Sequence, residues 1–284
     1  MDQSGNIDYA KYRHLLQWHL KEKTDGLCVL GTTSEAAVMS MDERAALLEI
    51  TREEVAGKVP VVVGCGTIDP RTVIEYSRQA LRHGADASLI VTPYYVKPTQ
   101  RALVKHYEGI ADAVPTMPIL LYNVPGRTGV DMKPETIGLI NKACAGVVVG
   151  VKEATGDVSR VAAIRETCGK DFLLYGGDDE TGAEFVMEGG DGVISVTANV
   201  APNKMHLLMR AALSRDKVKV KEINDTLMAL HSKLFCQSNP IPAKYVLEKM
   251  GIMQKWLRPP LCALEKEYEE VMHDAMRQAG LLLK

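Results

Sequence analysis

Residues 146–153 read GVVVGVKE: apolar positions run almost unbroken into one lysine, Lys152. A run this apolar at both odd and even positions has no solvent-facing side, so it predicts a strand buried on both faces, as in a parallel sheet. The same unit recurs in both directions along the chain. GLCVLGTT (26–33), VPVVVGCG (59–66), ASLIVTPYY (87–95), MPILLYNVPG (117–126), DFLLYGG (171–177) and GVISVTAN (192–199) are each followed by a turn and a stretch of helical period. Strands alternating with helices build a parallel α/β fold, and the regularity of the repeat favours a closed (β/α)8 TIM barrel, typically ~250 residues, over an open doubly wound sheet. A helical tail rich in Leu, Met, Lys and Glu closes the chain, with no Pro/Gly/Ser linker before it. The expected division is a barrel over 1–215 and a C-terminal helical region over 216–284 packed on it as a single structural unit.

Composition narrows the function. At 284 residues and 46% hydrophobic content the chain has material for a large core. A formal net charge of -2 with dispersed basic residues offers no footprint for nucleic acid or an anionic membrane surface. No apolar run approaches the roughly 20 residues that span a bilayer, and MDQSGNIDY at the start has no leader character. Cys28, Cys65, Cys144, Cys168, Cys236 and Cys262 show no CxxC spacing and read as free thiols of a reducing compartment.

A parallel barrel presents its chemistry at the C-terminal ends of its strands. The unusual residues fall there: Thr32 and Thr33, Tyr94 and Tyr95, Tyr122 and Asn123, Lys152, Gly176 to Asp179, and Ser195 to Asn199. Alternation along the fifth strand puts Val148, Gly150 and Lys152 on one face and Val149, Val151 and Glu153 on the other. A lysine amine stripped of part of its water is more often uncharged, and the uncharged amine attacks carbonyls. The blander reading, a lysine snorkelling at a strand end, suits an isolated lysine better than one in this company. Tyr122 is a phenol at a neighbouring strand end, suited to passing a proton, or else a core tyrosine. GTTSE (31–35) offers two hydroxyls and a turn with free N–H groups, while Ser40 with Glu43 accounts for helix capping by itself. Arg127, in NVPGRTG, suits bidentate carboxylate recognition. GCGTID lacks the third glycine of a dinucleotide fingerprint, having Asp69 there, and Asp178, Asp179 and Glu180 read as a helix start before a metal site.

With Lys152, YNVPGRT, GTTSE and TPYY in place, the chain resembles the dihydrodipicolinate synthase family of Schiff-base pyruvate aldolases, a group that also includes N-acetylneuraminate lyase. The likeness extends over nearly the whole sequence, through VKEATGD, GDD, GVISVTANV and NPIPAKYVLEKMG. The resemblance implies a barrel with a helical C-terminal region, self-associating as a homodimer or homotetramer, and a lyase of lysine (diaminopimelate) biosynthesis. Lys152 then forms the imine with pyruvate. Tyr122, Thr33 and Tyr95 form a proton relay, with Tyr95 crossing into the neighbouring subunit. Thr32 and Thr33 hold the pyruvate carboxylate, Gly177 and Ile194 line the pocket, and Arg127 binds the carboxylate of L-aspartate 4-semialdehyde. The imine nitrogen withdraws the electrons, so the resemblance implies no metal and no organic cofactor.

Departures from the family accompany it. Ser34 stands where GTTGE has glycine, which matters if the position needs positive φ. Ile68 and Thr72 replace the Asn and Glu that bind lysine in inhibited relatives, so feedback by lysine is expected to be weak or absent. The amphipathic helix IDYAKYRHLLQWHLKEKTD (7–25) precedes the first strand found, so the barrel is expected to lack its first strand. Two other functions fit in outline: a sister aldolase acting on a 2-keto-3-deoxy sugar acid, and a catalytically impaired binding or interaction protein. A metal-dependent pyruvate aldolase built on the Asp178 cluster is a further mechanistic alternative. The expected compartment is the cytoplasm, or the plastid stroma if a transit peptide has been removed.

Overall fold

The structure, a computed structural model, describes residues 1–281. Its elements run in chain order as α1 (Tyr9–Lys21), β1 (Leu27–Val29), α2 (Met41–Val55), β2 (Val61–Gly64), α3 (Pro70–Arg82), β3 (Ala87–Val91), α4 (Gln100–Ala113) and β4 (Ile119–Asn123). They continue as α5 (Pro125–Thr128), α6 (Pro134–Ala143), β5 (Val148–Glu153), α7 (Arg160–Cys168), β6 (Leu173–Gly176), α8 (Gly182–Met187) and β7 (Gly192–Val193). α9 (Pro202–Leu213), α10 (Lys217–Lys233), α11 (Ile241–Lys249) and α12 (Glu269–Gln278) complete the set. The chain divides into two compact units: Pro60–Ile194, and Met1–Val59 together with the chain from Ser195 onward. No helix of the described residues is long and apolar enough to cross a membrane.

The unit of residues 60–194 is a parallel sheet, β2 to β7, with each strand hydrogen-bonded to the next in chain order. Its helices start where the sequence supplies caps. The Asp69 carboxylate accepts the Arg71 N–H and Pro70 occupies the first turn of α3, which explains the acid in GCGTID without a nucleotide. Thr99 caps α4 in the same way. Val63, Ile90, Leu121, Val151 and Leu174 from the strands, with Val73, Leu103, Ile110 and Ile164 from the helices, are all below 1% exposed. Each such side chain stabilises the fold by about 1.5–3 kcal/mol through burial.

Two features of this sheet depart from simple alternation. Ile119 pairs with Val148 but Leu120 pairs with Gly150, so Val149 is an extra residue bulged out of the β4–β5 ladder. The single face expected for Val148, Gly150 and Lys152 is therefore broken below Gly150. The last strand is also shorter than GVISVTAN suggests. β7 ends at Val193, the Ser195 hydroxyl accepts the Ala198 N–H at 2.8 Å, and residues Thr197–Asn199 turn into a 3-10 helix. That local side-chain bond competes with continued strand pairing.

In the other unit α1 lies along α2, where Tyr12 and Thr51 share a hydrogen bond of 2.6 Å and Arg13 pairs with Glu53 at 2.7 Å. The predicted capping box is present at the start of α2: the Ser40 hydroxyl accepts the Glu43 N–H, and the Glu43 carboxylate accepts the Ser40 N–H. α11 is buried almost all round, from Ile241 to Leu247. α10, α11 and α12 fall within residues 216–284, of which residues 282–284 lie outside the described residues.

Candidate active site

The register of β4 and β5 sets Tyr122 directly opposite Lys152, and that of β5 and β6 sets Lys152 opposite Tyr175. Paired residues point to the same face. Lys152 Nζ lies 4.5 Å from the centroid of the Tyr122 ring, and both side chains are buried, Lys152 at 9% and Tyr122 at 8% exposure. Burial, with Asp191 nearby, holds the Tyr175 phenol above its ordinary range, so that it stays protonated beside the lysine.

Glycines allow this approach. A Cβ on Gly177 would sit 2.7 Å from Lys152 Cε and 2.6 Å from Ala154 Cβ, so the lysine stem runs through the space a side chain would fill. Gly150 plays a different part from the one its position below the lysine suggests. A Cβ there would meet the Leu173 carbonyl at 2.4 Å and Leu120 Cδ2 at 2.9 Å, so the residue permits close strand approach and leaves no open pocket. The Gly177 N–H donates to the Glu153 carbonyl at 2.7 Å, and the Ile194 N–H to the Gly176 carbonyl at 2.9 Å, which ties both predicted pocket residues to the ends of β5 and β6.

Behind the Lys152–Tyr122 pair, on the opposite strand faces, stand Asn123 and Glu153, also in register with each other. Asn123 Nδ2 donates to Glu153 Oε2 at 3.1 Å and to Asp131 Oδ1 at 2.8 Å, while its Oδ1 accepts the Met132 N–H at 2.9 Å. Arg160 Nε donates to Glu153 at 3.0 Å, and its other nitrogens reach Asp131 at 3.2 Å and the Met132 carbonyl at 2.6 Å. Glu153 Oε1 accepts the Thr155 N–H at 2.9 Å. Asn123 is fully buried and Glu153 is 3% exposed. Alternation places Glu153 on this face, but Asp131 and Arg160, drawn from a loop and a helix, carry no signal in the sequence.

Arg127 stands exposed on α5, and its guanidinium pairs with no carboxylate among the described residues. Tyr95 is 86% exposed, with its backbone held at φ 71° and its N–H donating to the Thr128 carbonyl at 3.3 Å. No hydrogen bond or ion pair among the described residues joins either one to Lys152.

Thr32 and Thr33 belong to the other unit, in a 3-10 turn spanning Thr32–Ser34. Thr33 Oγ1 accepts from Asn239 Nδ2 at 3.0 Å. Positive φ falls on Leu30 (55°) and Glu35 (60°), and Ser34 is free of it. The substitution of serine for glycine is therefore harmless to the backbone, and the Ser34 hydroxyl donates to the Gly31 carbonyl at 2.7 Å. The turn is anchored from behind. The buried Glu35 carboxylate pairs with Lys244 and accepts the Arg258 N–H at 2.8 Å, and Lys244 Nζ also donates to the Trp256 carbonyl at 3.2 Å. Arg258 in turn grips Glu43 through Nη1 at 2.9 Å, together with the Gly5 carbonyl at 2.7 Å and the Val38 carbonyl at 2.8 Å. Sequence reading missed Asn239, Lys244 and Arg258 as partners of this turn.

Comparison with known proteins gives one consistent answer. The profile of the dihydrodipicolinate synthetase family matches residues 1–279. A curated relative from Methylococcus capsulatus, 4-hydroxy-tetrahydrodipicolinate synthase, is 45% identical over 282 residues, 99% of this chain and 96% of the relative. The structure is similar to that of the chloride-inhibited dihydrodipicolinate synthase from Acinetobacter baumannii complexed with pyruvate, with a TM-score of 0.94 at 40% identity over 99% of this chain and 96% of that one. It is also similar to the dihydrodipicolinate synthase of Aquifex aeolicus, with a TM-score of 0.95 at 33% identity over 99% and 96% of the two chains.

Proposed function

The chain belongs to the dihydrodipicolinate synthetase family, and from that premise we propose that it condenses pyruvate with L-aspartate 4-semialdehyde to give 4-hydroxy-tetrahydrodipicolinate, a lyase step of lysine biosynthesis. The observation that carries the reading is the buried Lys152 amine set against the Tyr122 phenol at adjacent strand ends, in a chain so closely similar to enzymes of that name.

In the proposed sequence Lys152 Nζ attacks the pyruvate carbonyl carbon, and water leaves as the imine forms. Loss of a methyl proton gives the enamine, whose carbon attacks the aldehyde. The amine of the second substrate then displaces Lys152 Nζ as the ring closes, returning the lysine. Tyr122, Thr33 and Tyr95 are read as the groups that move protons to and from the carbonyl oxygens. The exposure of Tyr95 supports a role in a partner subunit of a homodimer or homotetramer. Thr32 and Thr33 are read as holding the pyruvate carboxylate, the backbone at Gly177 and Ile194 as lining the pocket, and Arg127, exposed and without a carboxylate partner among the described residues, as the receptor for the carboxylate of the aldehyde. A (β/α)8 closure, with seven strands found among the described residues, belongs to the same reading, as do a barrel over 1–215, weak or absent lysine feedback given Ile68 and Thr72, and a cytoplasmic location. Relatives of nearly full length named as synthases disfavour both the sugar-acid aldolase and the impaired binding protein.

Incubation with pyruvate, borohydride reduction and peptide mass spectrometry test the nucleophile: a pyruvate-dependent adduct on Lys152 is expected, and its absence from folded protein overturns the reading. Arg127→Ala tests the second substrate. It should lower kcat/KM for the semialdehyde about 10- to 100-fold, the range for losing a charge-assisted bidentate contact, while leaving the pyruvate adduct intact.

A further inference from the structure

We propose that Asn123, Glu153, Asp131 and Arg160 form a positioning cluster that holds the nucleophile Lys152, its neighbour Tyr122 and the loop bearing Arg127 in one fixed relation. The inference rests on the reading of Lys152 as the imine-forming residue. It starts from a question of parity. A carboxylate is buried one residue from the lysine on the opposite strand face, where an apolar side chain would pack at no electrostatic cost. What a charged cluster adds there is direction. Every polar atom of the Asn123 amide is engaged: Nδ2 with Glu153 and Asp131, Oδ1 with the Met132 N–H. Glu153 is held by Asn123, Arg160 and the Thr155 N–H.

Three segments therefore meet on two residues. β4 contributes Tyr122 and Asn123, β5 contributes Lys152 and Glu153, and Asn123–Glu153 locks on one face the same register that sets Tyr122 against Lys152 on the other. The third segment is the loop from Val124 to Met132, which carries Arg127. It leaves from Asn123 and returns at Asp131 and Met132, where the Asn123 side chain and Arg160 hold it again. Both ends of the Arg127 loop are thus fixed to the strand pair that carries the nucleophile. Reacting groups misplaced by even an ångström cost up to about 100-fold in rate, so such a fixture has a kinetic reason to exist. None of the four residues needs to touch substrate; they act through Lys152, Tyr122 and Arg127.

Asn123→Ala removes the joint while leaving Glu153 paired with Arg160. In the full-length protein, held well below its melting temperature and scaled to folded fraction, the rate of borohydride-trappable imine formation should fall roughly 10- to 100-fold and the KM for the semialdehyde should rise. A merely structural role would lower the melting temperature with both quantities within about twofold of the parent, and that result overturns the proposal. Asp131→Asn, nearer the surface, loosens only the loop arm. It should raise the semialdehyde KM while imine formation stays within about twofold; should Asn123→Ala fail to fold, an unchanged KM in Asp131→Asn overturns the proposal instead. The parent enzyme separates the two layers of the argument. If it yields no pyruvate adduct at Lys152, the functional reading falls and takes the cluster with it. If it does, and the variants behave as the parent, only the cluster falls.

Discussion

The ends of β4 and β5 and the turn at residues 31–35 both present candidate site residues, and they are held by opposite means. Lys152 and Tyr122 take their positions from a backbone ladder, in which the register leaves few choices for either side chain. Thr32 and Thr33 sit on a three-residue 3-10 turn with left-handed residues at Leu30 and Glu35 flanking it, and no ladder fixes such a turn. Its position is enforced by groups far along the sequence: the Asn239 side chain at a separation of 206 residues, the Lys244 side chain at 209 and the Arg258 backbone N–H at 223. The lesson concerns where damage should appear. Substitutions at the ladder ends should cost chemistry before they cost stability, and substitutions behind the turn should cost stability first.

The sharpest test of that contrast is Lys152→Ala. Losing the covalent route should reduce kcat/KM at least roughly a thousandfold, while the denaturation midpoint holds or rises as a buried polar group is removed; a large loss of stability would break the comparison. Lys244→Met is its counterpart. It strands the Glu35 carboxylate with the Arg258 N–H, and breaking a buried pair from one side costs about 3–5 kcal/mol, which urea denaturation measures directly. Gly177→Ala crosses the two categories, since the added methyl must displace the Lys152 stem. Overpacking of this kind costs about 1–3 kcal/mol, with lost imine formation as its kinetic sign. Asn239→Ala removes one hydrogen bond from Thr33 and should cost about 1 kcal/mol, with a lower kcat and a pyruvate adduct that still forms.

The smallest effect is a pH dependence. The Arg258 guanidinium holds the Glu43 carboxyl down to about 2 from an ordinary 4.5. A carboxyl depressed on folding contributes its stability above about pH 4.5 and loses it as the pH falls towards 2. A quarter of the Glu43 side chain is exposed, so the amount is less than about 1 kcal/mol. Glu43→Gln should narrow the gap between midpoints measured at about pH 5 and about pH 3; an unchanged gap would show that the Arg258 grip on the start of α2 carries no net stability.

How much of this was legible in the sequence follows the same divide. Strands buried on both faces announce themselves as apolar runs, and alternation carries the reading to Lys152, Tyr122 and the opposite-facing Glu153. The helix start at Ser40 is written in local residue types and was found by them, whereas the cap at Asp69, written the same way, was weighed only against a nucleotide site. What the sequence hides is contact without local pattern: Arg160 reaching Glu153, Asn239 reaching Thr33, Lys244 reaching Glu35. The bulge at Val149 and the early end of β7 escaped for another reason: the first is a one-residue shift of register and the second turns on a local side-chain hydrogen bond, and hydrophobic period records neither.

The bulge also bears on which length changes this sheet can absorb. β5 carries one residue more than its partner strand needs, and that residue lies between the part of the strand that packs the lower core and the part that aims Lys152. Removing Val149 would leave Val148 opposite Ile119 and Lys152 opposite Tyr122 in an unbroken ladder. A single-residue deletion at Gly150 or Val151 also keeps Lys152 opposite Tyr122, but it moves Val149 into the place opposite Leu120 and Leu173, where a Cβ would meet the Leu173 carbonyl at 2.4 Å. Tolerance of indels along β5 is therefore expected to change abruptly within two residues, at a point no hydropathy plot would mark.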